Sequence, residues 1–219
     1  MLGNTHMSFG LASASVVVYF TPYLTPLDFL DPIEIFLFYM FCLLGSIFPD
    51  IDEPQSKIGR KTLGASNLIK TFFGHRGLTH SLICFAALGL FLGILGYFLI
   101  ISDSLNQILV NGINSYILTN NLSKEPLTSH LASQSIIICI CGFLFGWLSH
   151  LVGDMMTLSG VPLLLPFNAQ KYFVLPQFLR FKTGGKIEHI IHWFSCATFI
   201  WVTGKIFGVD NVFAKILNF

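Results

Sequence analysis

Three long apolar stretches, Ser81 to Ile101, Ser135 to Gly153 and Ile190 to Val209, decide what this chain can fold into. Each has about the 20 residues that carry a helix through a hydrocarbon core. Inside lipid a segment must satisfy its own backbone N–H and C=O groups, so apolar runs of this length become helices. Two further stretches fit less well. Ile33 to Phe48 is short but apolar after Glu34, and Met7 to Tyr23 is interrupted near its end by Thr21-Pro22, which favours tilting or half insertion. The composition agrees: 53% of the 219 residues are hydrophobic and 11% charged, with a mean hydropathy of +0.72, far from soluble norms. The expectation is an all-α, multi-span transmembrane helix bundle, one integral membrane domain over 1–219. It has about five membrane helices, or four if the first is only half inserted.

With a net charge of +1, no broad basic surface attracts nucleic acid, and membrane lipid is the expected partner instead. Cys42, Cys84, Cys139, Cys141 and Cys196 all lie in apolar stretches, where a thiol packs as a small hydrophobe. Cys139 and Cys141 point about 200° apart on a helix and cannot share a metal ion without distortion. No Lys or Arg precedes the first apolar run, so a cleaved secretory leader is not expected.

Charge placement orients the bundle. The long loop 49–80 carries Lys57, Arg60, Lys61, Lys70 and Arg76, and the long loop 154–189 carries Lys171, Arg180, Lys182 and Lys186, nine of the twelve basic residues. The link from Leu24 to Pro32 has none, and the loop from Ser102 to Gln134 has only Lys124. The positive-inside rule therefore puts both basic loops in the cytoplasm, with the N-terminus inside and the C-terminus outside. His6, Asp50, Asp52, His75, His80, His150, Asp154 and Glu188 then gather at the cytoplasmic boundary. His130 falls on the far side, and His192 lies about one turn inside the last helix.

The pieces of this cluster carry recognisable chemistry. His150 and Asp154, four apart at the end of a helix, share one face and can share one ion, or close the helix end as a hydrogen-bonded pair. Pro49-Asp50-Ile51-Asp52, between two prolines, reads as extended backbone that points both carboxylates the same way. Two close carboxylates suit a divalent ion, although a solvated loop with a capping residue has the same pattern. In Gly74-His75-Arg76-Gly77-Leu78-Thr79-His80-Ser81, a turn at Gly77 brings His75 and His80 toward one point. Arg76 offers a planar fork for phosphate or carboxylate, while Thr79 or Ser81 is a helix cap by residue type. His6 reads equally as a ligand or as an interfacial histidine. Glu188, behind Gly184-Gly185, reads as a ligand, a base or an ion-pair partner. Phe173, Phe178 and Phe181, interleaved with Lys171, Arg180 and Lys182, look like an interfacial segment facing anionic lipid or an ordinary membrane anchor.

Taken in order, Thr5-His6, Pro49-Asp50-Ile51-Asp52, His75-Arg76-Gly77-Leu78-Thr79-His80-Ser81, the Gly-x-x-x-His-x-x-x-Asp of Gly146 to Asp154, and Thr157-x-x-Gly160 followed by Pro166 resemble the YdjM-like inner-membrane proteins, described as metal-dependent hydrolases. These motifs cover most of the chain from 5 to 188, whereas Ser102 to Gln134 contributes none. The resemblance implies a multi-pass protein of the bacterial inner membrane with a cytoplasmic metal site held by His6, Asp50, Asp52, His75, His80, His150 and Asp154.

Beside the resemblance, seven His and Asp candidates exceed the four ligands of one tetrahedral ion, so one or two ions are expected, with two preferred. Imidazole and carboxylate without thiolate suit Zn, Mn or Fe. The preferred reaction is hydrolysis of a phosphoester, as in a lipid head group or a small molecule, with Arg76 and Glu188 as the catalytic candidates. An ion transporter would carry ionisable residues deep in its spans, and these have almost none. A metal-stabilised scaffold without turnover has the same residues.

Overall fold

The computed structural model describes residues 1–24, 31–53, 56, 78–117 and 127–208, without the side chains of 103, 106, 107, 109–117 and 127–133. His75 and Arg76 lie outside the described residues. Five α-helices account for most of the rest: α1 (Gly3–Leu24), α2 (Pro32–Ile47), α3 (Leu82–Ile117), α4 (Leu127–Met155) and α5 (Lys186–Ile206). Among the described residues there is no β-sheet, only two isolated bridges.

Among the described residues, three segments are long and apolar enough to cross a membrane: Pro32–Asp52, Leu82–Ser102 and Gln134–Met155. The stretch expected to span from Ile190 is helical but is not one of these, since α5 opens with Lys186, Glu188, His189 and His192. Its outer face is apolar all the same, with Ile190, Trp193, Phe194, Ile200 and Trp201 exposed. Pro22 does not break α1, which carries it in the last turn and runs on to Leu24.

Two loop expectations are corrected. Most of Ser102 to Gln134 is helix, because α3 continues to Ile117 and α4 begins at Leu127. Ser102 to Asn111 contains no glycine or proline to stop a helix. The segment after Asp154 folds back on itself through the bridges Thr157–Phe181 and Val161–Tyr172. Phe181 is therefore buried, and Phe173 lies beneath the Arg180 guanidinium at 3.6 Å, so of the three phenylalanines expected to face lipid only Phe178 is exposed. Gly160, at φ +62°, leaves the space that the Phe173 ring fills.

The central contact is α2 against α4, at backbone distance. A Cβ on Gly146 would stand 2.0 Å from the Cys42 carbonyl oxygen, and one on Gly45 would stand 2.0 Å from that of Phe143. In lipid, apolar side chains gain little from one another, so close packing of glycine surfaces is what holds two helices together. Beside this seam Trp147 is fully buried among Phe48, Phe85 and Phe143, and its Nε1–H donates to the Thr79 carbonyl at 3.2 Å. A second apolar cluster of Ala14, Val18, Ile35, Tyr39 and Cys42 joins α1 to α2.

Candidate metal centre

The glycine seam determines where His150 stands. One turn beyond Gly146, its Nδ1 lies 2.7 Å from the Ser46 carbonyl oxygen. A carbonyl can only accept, so Nδ1 carries the proton and the Nε2 lone pair is bare. His80 is oriented in a parallel way. Its Nδ1 lies 3.2 Å from Thr79 Oγ1, whose own proton goes to Asp52 Oδ2 at 2.7 Å. The hydroxyl therefore accepts from His80 Nδ1–H, and the Nε2 of His80 is bare as well.

These two bare nitrogens face each other at 3.3 Å. Asp154 Oδ2 lies 3.8 Å from each, and Asp50 Oδ1 lies 3.8 Å from that of His80 and 3.7 Å from that of His150. Lone pairs and carboxylates converging out of water repel unless a cation stands among them. Ligands about 2.0–2.1 Å from a tetrahedral ion are separated by about 3.4 Å, close to the spacing found here. The donor set thus fits a divalent metal. Among the described residues, two overlapping triads have ligand atoms within 4.8 Å of one another: His80–His150–Asp154 and His6–Asp50–His150. They share His150, whose single free nitrogen serves one ion at a time.

His6 completes the cluster from α1. Its ring stacks on His150 at 3.7 Å, and its Nε2 lies 3.2 Å from Asp154 Oδ1. Burial, with the neighbouring His150 second, pushes its pKa down to about 4, so the ring is neutral at pH 7. Gly153 lies against this ring, and a Cβ there would stand 3.3 Å from His6 Nδ1. The Met1 α-ammonium also lies on Asp154 Oδ1. His6, His80, His150 and Asp154 are fully buried, and of the four ligand candidates around the facing nitrogens only Asp50 has an accessible side chain, at 22%.

One expectation is revised. Phe48–Asp52 is a 3₁₀ turn with Pro49 in its first positions, not extended backbone. The carboxylates of Asp50 and Asp52 consequently point to opposite sides of His80: Asp50 toward Nε2, and Asp52 toward Nδ1 at 3.8 Å as an orienting partner. Glu188 is buried at the start of α5, where its carboxylate accepts the backbone N–H groups of Leu2 and Gly184, the latter at 2.6 Å. It braces the start of α1 against the start of α5. His192 likewise joins these helices, donating from Nδ1 to Ser8 Oγ at 2.9 Å, because the Ser8 proton goes to the Thr5 carbonyl. Sequence reasoning missed Ser46 altogether, since a carbonyl acceptor leaves no trace in residue type. Thr79 was visible only as a helix cap.

The sequence is matched over residues 1–212 by the family model described as YdjM inner membrane protein. The chain belongs to this family. A relative, the uncharacterized protein YvsG of Bacillus subtilis (strain 168), is 30% identical over 191 residues, covering 87% of each chain. The inner membrane protein YdjM of Escherichia coli (strain K12) is 30% identical over 159 residues, covering 73% of this chain and 61% of that one. The chain thus matches about three fifths of the E. coli protein's length. No solved structure matches.

Proposed function

We propose that this protein is a membrane-bound hydrolase that uses a divalent metal ion. The observation that supports this reading is the pair of buried, bare imidazole nitrogens facing each other at 3.3 Å between two carboxylates. His80, His150, Asp50 and Asp154 would hold a first ion, with His6 on the far side of Asp154 as a further ligand or a proton acceptor. When bound, a divalent ion lowers the pKa of water and polarises a phosphoryl or carbonyl oxygen. Thr79 and Asp52 fix the ring of His80, and the Ser46 carbonyl fixes that of His150. Asp50, the accessible member, lies on the side from which water and substrate enter. Neutral at pH 7, His6 keeps a lone pair for a metal ion, although a pKa of about 4 makes it a weak base. Arg76, outside the described residues, is the proposed holder of phosphoryl charge.

The orientation proposed is the one the basic loops favour, with the centre on the cytoplasmic side. Metal per chain, measured on purified protein by elemental analysis, tests the centre. Near-stoichiometric Zn, Mn or Fe that is lost in His150→Ala and Asp154→Ala but kept in His130→Ala supports the reading. Release of phosphate from a phosphoester by the loaded native protein, absent in both variants, supports turnover. The burial of three of the four ligand candidates favours a second reading, an ion that only pins α2, α3 and α4 together. That reading predicts an ion that resists chelators, a large fall in melting temperature on its removal, and no hydrolysis.

A further inference from the structure

A cavity of about 660 Å³ lies between α1, α4 and α5. Its walls include Phe9 and Val16 of α1, Phe145 of α4, Met156 just past its end, and Ile190 and Phe194 of α5. The hydroxyl of Thr198, one of its few polar members, is turned back to the Phe194 carbonyl at 2.9 Å. A sugar, base or peptide placed here would lose its hydration against walls whose remaining polar groups are the Ser13 and Ser195 hydroxyls. A hydrocarbon chain would not, and from Phe9 to Val17 the groove follows α1 for about 12 Å.

The placement of this groove says more than its apolarity. Phe9 is one turn beyond His6, and Met156 is two residues beyond Asp154, so one end of the groove lies on the side of the polar cluster, whose His6 and Asp154 side chains are themselves buried. Lys186, exposed and one turn before Ile190 on the same face of α5, stands at that same end. The arrangement is thus an apolar channel, a lysine at its mouth and a His/Asp centre beside it, which complements an amphiphile with one chain inserted and an anionic head.

We propose that the groove holds a hydrocarbon chain of a phosphate-headed lipid, with the phosphate placed at Lys186 and the His/Asp cluster. As a statement about substrate class this rests on the hydrolase reading above, whereas chain binding itself does not.

The test uses the full chain in phosphatidylcholine nanodiscs and a hexadecyl phosphate carrying a mid-chain diazirine, with photolabelled residues located by mass spectrometry. Labelling on groove residues should exceed that on the lipid-facing Leu90 and Phe91 of α3 by about fivefold or more, corresponding to about 1 kcal/mol of preference. Ser13→Trp and Ser195→Trp, which fill the groove from opposite walls, should each abolish that excess, with unchanged metal content showing that the fold persists. A diazirine-bearing hexadecane without phosphate should label the groove more weakly. Equal labelling of groove and α3, or labelling that both tryptophans leave unchanged, would overturn the chain site. Equal labelling by the two probes would overturn the phosphate part. A native, metal-loaded protein that is labelled in the groove but releases no phosphate from the probe overturns the hydrolase reading alone.

Discussion

His150 has no choice of tautomer, because the Ser46 carbonyl accepts from Nδ1 at 2.7 Å. His80 has none either, but its constraint runs through the Thr79 hydroxyl to Asp52. Partners of this kind, behind the ligands, typically govern metal affinity by 10–100-fold. Thr79→Val, which keeps the shape and removes the hydroxyl, should therefore weaken metal binding by about 10–100-fold in competition with a chelator, and Thr79→Ser should restore it. His6 supplies a pH signature in metal-free protein. Its folded pKa of about 4 lies below the ordinary 6.5, so the unfolded chain binds the extra proton between those values. Its contribution is present above pH 6.5 and is lost as pH falls toward 4, a change of about 3 kcal/mol. Thermal unfolding of native and His6→Gln protein, with chelator at pH 7.5 and pH 4.5, should show the steeper loss in the native chain. At this scale residue type revealed much of the site: His6, Asp50, His80, His150 and Asp154 do converge. Their tautomers were not legible, because a backbone carbonyl and a threonine hydroxyl set them across 104 residues and across a 3₁₀ turn.

The α2–α4 seam places His150 at all. Gly146 lets the helices approach to the point where Ser46 and His150 bond, so Gly146→Leu should separate them. The expected result is loss of bound metal and a melting temperature lower by several degrees, consistent with an overpacking cost of about 1–3 kcal/mol. Helices were the legible elements, since apolar length alone predicts them in lipid. The segments between them were not. Pro49 reads as a marker of extended backbone but is also at home in the opening of a 3₁₀ turn, and that ambiguity reversed the relation of Asp50 to Asp52. The polar residues from Ser102 to Asn111 read as the start of a loop although no glycine or proline there breaks a helix.

Across the whole molecule, the cluster joins the start of α1, the end of α2, the start of α3 and the end of α4, and Glu188 ties the start of α5 to Leu2. The helices therefore alternate in direction, as expected of an up-and-down membrane bundle. A reporter inserted near Lys61 should read as cytoplasmic, and one fused after Phe219 as periplasmic. The reverse pattern would place the centre on the other face. The same alternation has a consequence at the opposite surface. With 36 residues α3 is about 54 Å long against a hydrocarbon core of about 30 Å, and its first turn is anchored at the His/Asp centre. All of its surplus length must emerge on the far side, where α4 also begins its return. The protein is thus lopsided in its bilayer, with a buried polar cluster at one surface and a helical mast at the other. An antibody gripping the mast would register how deeply the protein sits without disturbing the centre.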